Sequence, residues 1–224
     1  MRESNSLSQK VVRGGAWVFA LRIVHRIFDL IRIVVLARLL QPHDFGLLGI
    51  ALLTLAILET FSQTGFGPAL IQKKDSVEGY LNTAWTVSII RGVALFIILY
   101  LIAPYAAGFF ESPQAGPIIQ VVGFTLLLGA FTNAGVIYFQ KELQFNKQFV
   151  YELSATLADF VVAVSAALLL RSVWALVFGY LAAAVVRLIV SYLIHPYRPR
   201  FSLESGKAKE LFGFGKWVLG SSIL

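Results

Sequence analysis

Apolar runs of about twenty residues divide this chain, and short segments with prolines and charges separate them. A transmembrane helix needs roughly 20 mostly apolar residues. The pattern therefore predicts an all-α, polytopic transmembrane helix bundle. Its six predicted spans are residues 14–39, 44–64, 81–103, 117–139, 148–170 and 173–194. We expect Pro42 to close the first helix, Asp44 to cap the second and Pro104 to end the third.

The composition supports a membrane protein. Hydrophobic residues make up 58% of the chain and charged residues 14%, against about 25% charged residues in soluble domains. The mean hydropathy is +0.76. Cysteine is absent, which excludes disulfides and thiolate metal sites. No metal-ligand spacing, P-loop or nucleophile elbow occurs, so we predict no metal site, no catalytic residue and no cofactor.

The same pattern divides the chain into four parts. Residues 1–13 form a predicted cytoplasmic N-terminus, and residues 14–195 a six-helix transmembrane lobe. Residues 196–211 form a charged cytoplasmic loop, which Pro196 and Pro199 keep out of the sixth helix. Residues 212–224 begin another apolar run, and we interpret them as the truncated start of a seventh helix. We therefore expect this chain to be part of a longer protein.

The distribution of Lys and Arg predicts the orientation, because cytoplasmic loops carry an excess of both. With a cytoplasmic N-terminus, only Arg38 and Arg171 lie in outside segments. The inside segments hold Arg2, Lys10, Arg13, Lys73, Lys74, Lys141, Lys147, Arg198, Arg200, Lys207, Lys209 and Lys216. This bias explains the net charge of +7 without nucleic acid. It predicts a multi-pass membrane protein whose cytoplasmic loops contact anionic lipid.

Charged residues within the first predicted span form one stripe. On a helical projection they lie within an arc of about 120°. The stripe cannot face lipid, because a charge at the bilayer centre costs several kcal/mol. We interpret its arginines as candidate contacts for an anionic substrate such as a phosphate, and its acid and histidine as their charge partners. A set of purely structural salt bridges is the alternative. The stripe comprises Arg22, His25, Arg26, Asp29 and Arg32.

Five further charged residues lie in the other spans, counting Glu152 near the cytoplasmic end of the fifth. Arg91 and Arg187 are additional candidate contacts for an anionic substrate. Glu59 and Asp159 are candidate charge partners, or sites that titrate or bind a coupling cation. The acids are numerous enough to neutralise most of these arginines. Whether Na⁺ or H⁺ coupling occurs is left open by the residues alone.

Five sequence motifs, in register along nearly the whole chain, indicate a family. They are RLLQPHDFG at 38–46, GFG at 65–67 followed by ALIQK at 69–73, FQKELQF at 139–145, WALV at 174–177 and PRF at 199–201. The set resembles the bacterial (Wzx-like) polysaccharide and lipid-linked oligosaccharide flippases, which belong to the superfamily of multidrug and toxin extruders. One departure is Gln41, where the family commonly has Gly.

The resemblance implies a MATE-like transporter with two pseudo-symmetric lobes, of which this chain is the N-terminal one. The implied function is the translocation of a polyprenyl-diphosphate-linked oligosaccharide by alternating access, for surface polysaccharide biosynthesis. The implied partners are that glycolipid, membrane lipids and the second lobe. A lone lobe is expected to be inactive, because alternating access needs a second body to move against.

Two alternatives remain at this point. A multidrug or cation antiporter of the same fold should have an acidic, aromatic cavity, and the intramembrane arginines argue against it. An integral-membrane enzyme acting on polyprenyl-linked glycans should have a large outer loop, and the predicted outer loops are short.

Overall fold

The computed structural model describes residues 23–24, 26–62, 65–72, 77–210 and 213, and every regular element in that part of the chain is helical. The first described helix, α1, covers 26–39. It is followed by α2 (Pro42–Phe61), α3 (Phe66–Gln72), α4 (Glu78–Phe109), α5 (Ala115–Val122), α6 (Phe124–Ala130), a 3₁₀ turn (Ala134–Val136), α7 (Ile137–Lys141), α8 (Phe145–Leu170) and α9 (Trp174–Ile194), and residues 205–210 form a further short helical segment.

Helices α2, α4, α8 and α9 are each long and apolar enough to cross a membrane. The bent pair Ala115–Ala130 and Ala134–Lys141 makes a fifth candidate span. The protein is therefore a multi-pass helical membrane bundle. The first predicted span, 14–39, lies partly outside the described residues, as does nearly all of the predicted seventh-helix start, 212–224.

The prediction that Pro104 ends the third span is wrong, because α4 continues through it to Phe109. A proline within a helix removes one N–H, which leaves the carbonyl four residues earlier without its donor. That carbonyl belongs to Tyr100, and Gln120 Nε2 from α5 donates to it at 3.4 Å. A neighbouring helix thus supplies the missing bond, as membrane helices with proline require.

The fourth predicted span, 117–139, is not one helix. It is divided into α5 and α6, and then turns by 74° into the segment of α7. Asn133 stabilises this turn with both its side chain and its backbone. Its Oδ1 accepts a hydrogen bond from Gly135 N at 2.8 Å, and its Nδ2 donates to Tyr197 O at 2.7 Å. Its backbone N donates to Ser191 Oγ on α9 at 3.0 Å.

The second span starts earlier than predicted. Gln41 is the N-cap and Pro42 the first helical residue, so Asp44 is not the cap. Asp44 lies in the first turn, where its Oδ2 accepts a hydrogen bond from Gln41 N at 3.0 Å. Both positions suit their residues, because proline is favoured at the first helical position and an acid near a helix N-terminus.

The antiparallel pair α8 and α9 makes the most extensive helix–helix interface among the described elements. Ala155, Ala163 and Ala167 of α8 are buried, as are Ala175 and Gly179 of α9. Such small side chains let two helices approach closely, which is how membrane helices gain packing energy. Large apolar side chains point outward along the same helices, where lipid would cover them.

The segment after α9 runs back over α4. Asn82 Oδ1 accepts hydrogen bonds from Tyr197 OH at 2.6 Å and from Arg200 N at 2.8 Å. Thr86 Oγ1 accepts one from Ser202 N at 3.0 Å. The described part of the predicted charged loop 196–211 has no regular structure up to residue 204 and is helical over 205–210, which the sequence did not predict. It ties the end of α9 to the start of α4.

His195, just after α9, should make stability depend on pH. Its pKa lies below the ordinary value, chiefly because burial disfavours the charged ring, with Lys147 and Arg198 adding to the effect and Glu142 opposing it. Its Nδ1 also accepts a hydrogen bond from Tyr197 N at 3.1 Å, which protonation would break.

The unfolded chain therefore takes up this proton first as pH falls. We expect the thermal midpoint to drop as pH falls below about 6.5, the ordinary histidine pKa. In His195→Gln, the glutamine has no proton to gain, so this component should vanish. Thermal scans between pH 7.5 and 5 would check both proteins, and equal pH dependence would contradict the assignment.

Candidate functional site

A polar cavity of about 400 Å³ lies between α2, α6, α8 and α9. Its volume is within the roughly 300–1,000 Å³ of small-molecule sites. Its wall combines charged, hydroxyl and aromatic groups with small residues that leave space. The lining residues are Leu55, Glu59, Thr125, Gly129, Thr132, Tyr151, Tyr180, Ala183, Ala184 and Arg187.

Arg187 on α9 reaches this cavity but is not an isolated cation. Its Nη2 lies 3.1 Å from Glu152 Oε2 on α8. The two side chains are 45% and 29% exposed, so an incoming anion has access to the guanidinium without unfolding the helix pair. The positive charge that Arg187 brings to the cavity wall is therefore balanced by Glu152.

Arg32 on α1 makes a second ion pair, with Asp159 on α8. Its Nε lies 2.6 Å from Asp159 Oδ2, and its Nη2 donates to Oδ1 at 3.1 Å. The Nε contact lacks hydrogen-bond geometry, so the pair is held by one hydrogen bond and by the attraction between the guanidinium and the carboxylate. The sequence offered Asp29 as a charge partner for Arg26, Arg32 or His25, and the structure pairs Arg32 with an acid on a helix distant in sequence. Phe28 and Phe160 pack edge to face beside the pair, with ring centroids 5.9 Å apart.

Arg91 on α4 binds the end of α2. Its Nη2 donates to Ser62 Oγ at 3.0 Å and approaches the Glu59 carbonyl at 3.4 Å. The last carbonyls of a helix lack intrahelical donors and carry partial negative charge, which an arginine satisfies. Arg91 Nε is buried with no hydrogen-bond partner among the described residues. Arg91 therefore caps α2 in this conformation.

The remaining predicted site residues are only partly described. Arg22 and His25 lie outside the described residues. Arg26 and Asp29 are exposed on the first described turns of α1. Glu59 is exposed along its length and lines the cavity. The structure thus brings Glu59 and Arg187 to one cavity and places Arg32–Asp159 beside it on α1 and α8.

The sequence interpretation missed the uncharged part of the lining. Tyr151 and Tyr180 supply hydroxyl and aromatic surface, and Thr125 and Thr132 supply further hydroxyls. Intramembrane charge was the only signal used, and uncharged polar residues within an apolar run are too common to stand out. The spacing Thr125, Gly129, Thr132 does follow one helical face and was a usable signal.

Residues 35–224 match the sequence profile of a family described as polysaccharide biosynthesis protein. The chain belongs to that family. Together with the relatives below, this confirms the resemblance to Wzx-like polysaccharide transport proteins. No solved structure gives a significant match.

Curated relatives of this family match almost the whole chain. It is 27% identical to the lipopolysaccharide biosynthesis protein WzxC of Escherichia coli K12, over 98% of the chain and 45% of the relative. It is 23% identical to the teichuronic acid biosynthesis protein TuaB of Bacillus subtilis 168, over 98% and 46%.

The succinoglycan biosynthesis transport protein ExoT of Rhizobium meliloti 1021 is 27% identical, over 84% of the chain and 38% of the relative. The chain thus spans less than half the length of these relatives. Their names describe biosynthesis and transport proteins, and none of the three is named as an enzyme.

Proposed function

We propose that this chain is one lobe of a transporter that moves a polyprenyl-diphosphate-linked oligosaccharide across the bacterial inner membrane for surface polysaccharide biosynthesis. The observation that carries the proposal is the polar cavity inside an otherwise apolar helical bundle. Polar surface at this depth is costly unless it holds a substrate, water or an ion. The family and the relative named a succinoglycan transport protein support the same class of cargo.

The geometry suits a diphosphate that enters from the membrane. Arg187 and Arg32 lie on different helices and each is paired with a carboxylate, the first partly exposed and the second mostly buried. Two arginines at separate points suit a head group with two phosphates better than a single small anion. The apolar outer faces of the helices suit the prenyl tail. We infer that the fuller protein works by alternating access, with this six-span MATE-like lobe rocking against a second one.

The Lys and Arg bias supports an N-terminus in the cytoplasm, so that substrate enters from that side. The roles assigned to Arg22, Arg26 and Asp29 remain predictions from the stripe on the first span. Coupling to Na⁺ or H⁺ is a further proposal, for which Glu59 is the best-placed cavity acid. The protein then acts as a transporter and not as an enzyme.

The test uses the full-length protein in its host. Arg22→Ala and Arg26→Ala, singly and together, should reduce surface glycan several-fold and raise lipid-linked precursor while membrane abundance holds. The reason is that each change removes a cation from the predicted diphosphate path. Arg38→Ala, at the end of the same helix and on the opposite face, is the matched control. Unchanged glycan and precursor in the double variant would refute the role of the stripe.

A cation antiporter is the second candidate, and one observation favours it. The cavity contains Glu59, Tyr151 and Tyr180, and its one arginine is neutralised by Glu152. Among the described residues, the cavity is thus less cationic than the sequence suggested. The variant Glu59→Gln distinguishes the antiporter from the flippase. An antiporter should lose resistance to cationic drugs, whereas a flippase should show a change in surface glycan and none in drug susceptibility.

A further inference from the structure

The ion pair between Arg32 and Asp159 has a neighbour that indicates what it is for. A Cβ built on Gly179 of α9 would lie 2.6 Å from Asp159 Oδ1 and 2.7 Å from Ala163 Cβ. The missing side chain at Gly179 therefore leaves the space in which the Asp159 carboxylate lies. The next residue, Tyr180, lines the polar cavity. Asp159 is thus placed between α8 and α9, at the margin of the cavity, and it faces α1.

The Asp159 carboxylate presents negatively charged oxygens to Arg32, as a phosphate would. Oδ1 accepts a hydrogen bond from Nη2 at 3.1 Å, and Oδ2 lies 2.6 Å from Nε without hydrogen-bond geometry. The two side chains are only 21% and 19% exposed, so little solvent screens them. A buried arginine without an anion would be costly, and Asp159 removes that cost while the cavity is empty. This contact must be given up before another anion can take the same edge of the Arg32 guanidinium.

We propose that Asp159 is an internal stand-in for the substrate. Its carboxylate holds Arg32 when no substrate is bound, and a prenyl-linked diphosphate displaces it. The inference rests on the proposed function and adds a regulatory residue to it. Because the diphosphate must first displace Asp159, it binds Arg32 more weakly than it would bind an arginine without an acidic partner. Weak binding suits a carrier, which must release its cargo on the far side of the membrane.

The first test is binding of farnesyl diphosphate to the complete protein, purified in detergent. Asp159→Asn keeps the shape of the side chain and removes its charge. We expect it to tighten binding by roughly tenfold, because no charge pair has to be broken. Glu204→Gln is the matched control, since Glu204 pairs with Lys207 far along the chain from this site, and it should bind like the unmodified protein.

The second test needs no substitution and so does not depend on how well a variant folds. Dicyclohexylcarbodiimide modifies protonated carboxyl groups in membrane interiors. Asp159 held by Arg32 should react slowly, and farnesyl diphosphate should raise its labelling, as measured by mass spectrometry of the α8 peptide. Sulfate at equal ionic strength should leave the labelling of Asp159 unchanged. Labelling that stays constant or falls would overturn the stand-in role.

The outcomes separate the two proposals. If the unmodified protein binds farnesyl diphosphate and Asp159→Asn binds it equally well, the stand-in role fails and the flippase proposal stands. If neither protein binds the diphosphate, both fail. If Asp159→Asn binds more weakly, Asp159 assists binding and the stand-in role is wrong.

Discussion

Replacing Gly179 by alanine should destabilise the bundle by about 1–3 kcal/mol, the usual cost of adding a methyl group to a filled interior. The new Cβ would meet Asp159 Oδ1, the Asp159 carbonyl at 3.0 Å and Ala163 Cβ at 2.7 Å. The Asp159 carboxylate can rotate away. The Asp159 carbonyl, however, is part of the α8 backbone, and the Ala163 side chain is a single methyl group that cannot turn aside. The two helices must therefore separate along their whole interface.

Thermal unfolding of the protein in detergent, followed by light scattering or tryptophan fluorescence, would measure this loss. Gly49→Ala is the matched control. Gly49 is an exposed helical glycine of α2, and a Cβ there meets no atom within 4 Å. Alanine is the better helix former, so the control should be neutral or slightly stabilising. Equal midpoints for the two variants would mean that α8 and α9 are not as close as the structure places them.

Arg32→Ala is expected to be the most harmful single change among the ion-pair residues. It leaves Asp159 charged, poorly solvated and without its partner, at a cost on the order of 3 kcal/mol. The double variant Arg32→Ala with Asp159→Asn removes the stranded charge as well. It should recover at least half of the lost stability, which makes the pair measurable as a double-mutant cycle.

The control for this cycle is the pair Lys207–Glu204, an exposed contact three residues apart on one helical turn. Removing Lys207 should change the thermal midpoint little, because surface pairs contribute about 0–1 kcal/mol. If Arg32→Ala were as mild as Lys207→Ala, the pair would not stabilise the helices. The stand-in role of Asp159 would then lose its structural basis, since a weak pair imposes little competition on a substrate.

The helices that are long, apolar and uninterrupted were predictable. Residues 148–170 and 173–194 were predicted as spans, and α8 and α9 cover Phe145–Leu170 and Trp174–Ile194. The reason is that a membrane imposes its thickness on each helix locally, so length and hydropathy suffice. The family was predictable for a related reason, because motifs at helix junctions retain their order along the chain.

Breaks inside apolar runs were not predictable in the same way. Pro104 was interpreted as a helix end, and it is tolerated because Gln120 reaches Tyr100 O from a different helix. Asn133 was not recognised as a turn, and it forms one with the help of Ser191 and Tyr197. In both cases, the deciding partner is remote in sequence. Local propensity identifies a residue that disfavours a helix. It does not identify the residue on another helix that compensates for it.

The charges show the same division. The sequence by itself determined that this is a helical membrane protein of a polysaccharide biosynthesis family, and that its intramembrane arginines need acids. Only the tertiary structure decided which acid meets which arginine: Asp159 rather than Asp29 for Arg32, Glu152 for Arg187, and the end of α2 for Arg91. A helical projection gives the direction in which a side chain points. Its partner depends on which helix lies opposite, and packing between α1, α8 and α9 sets that.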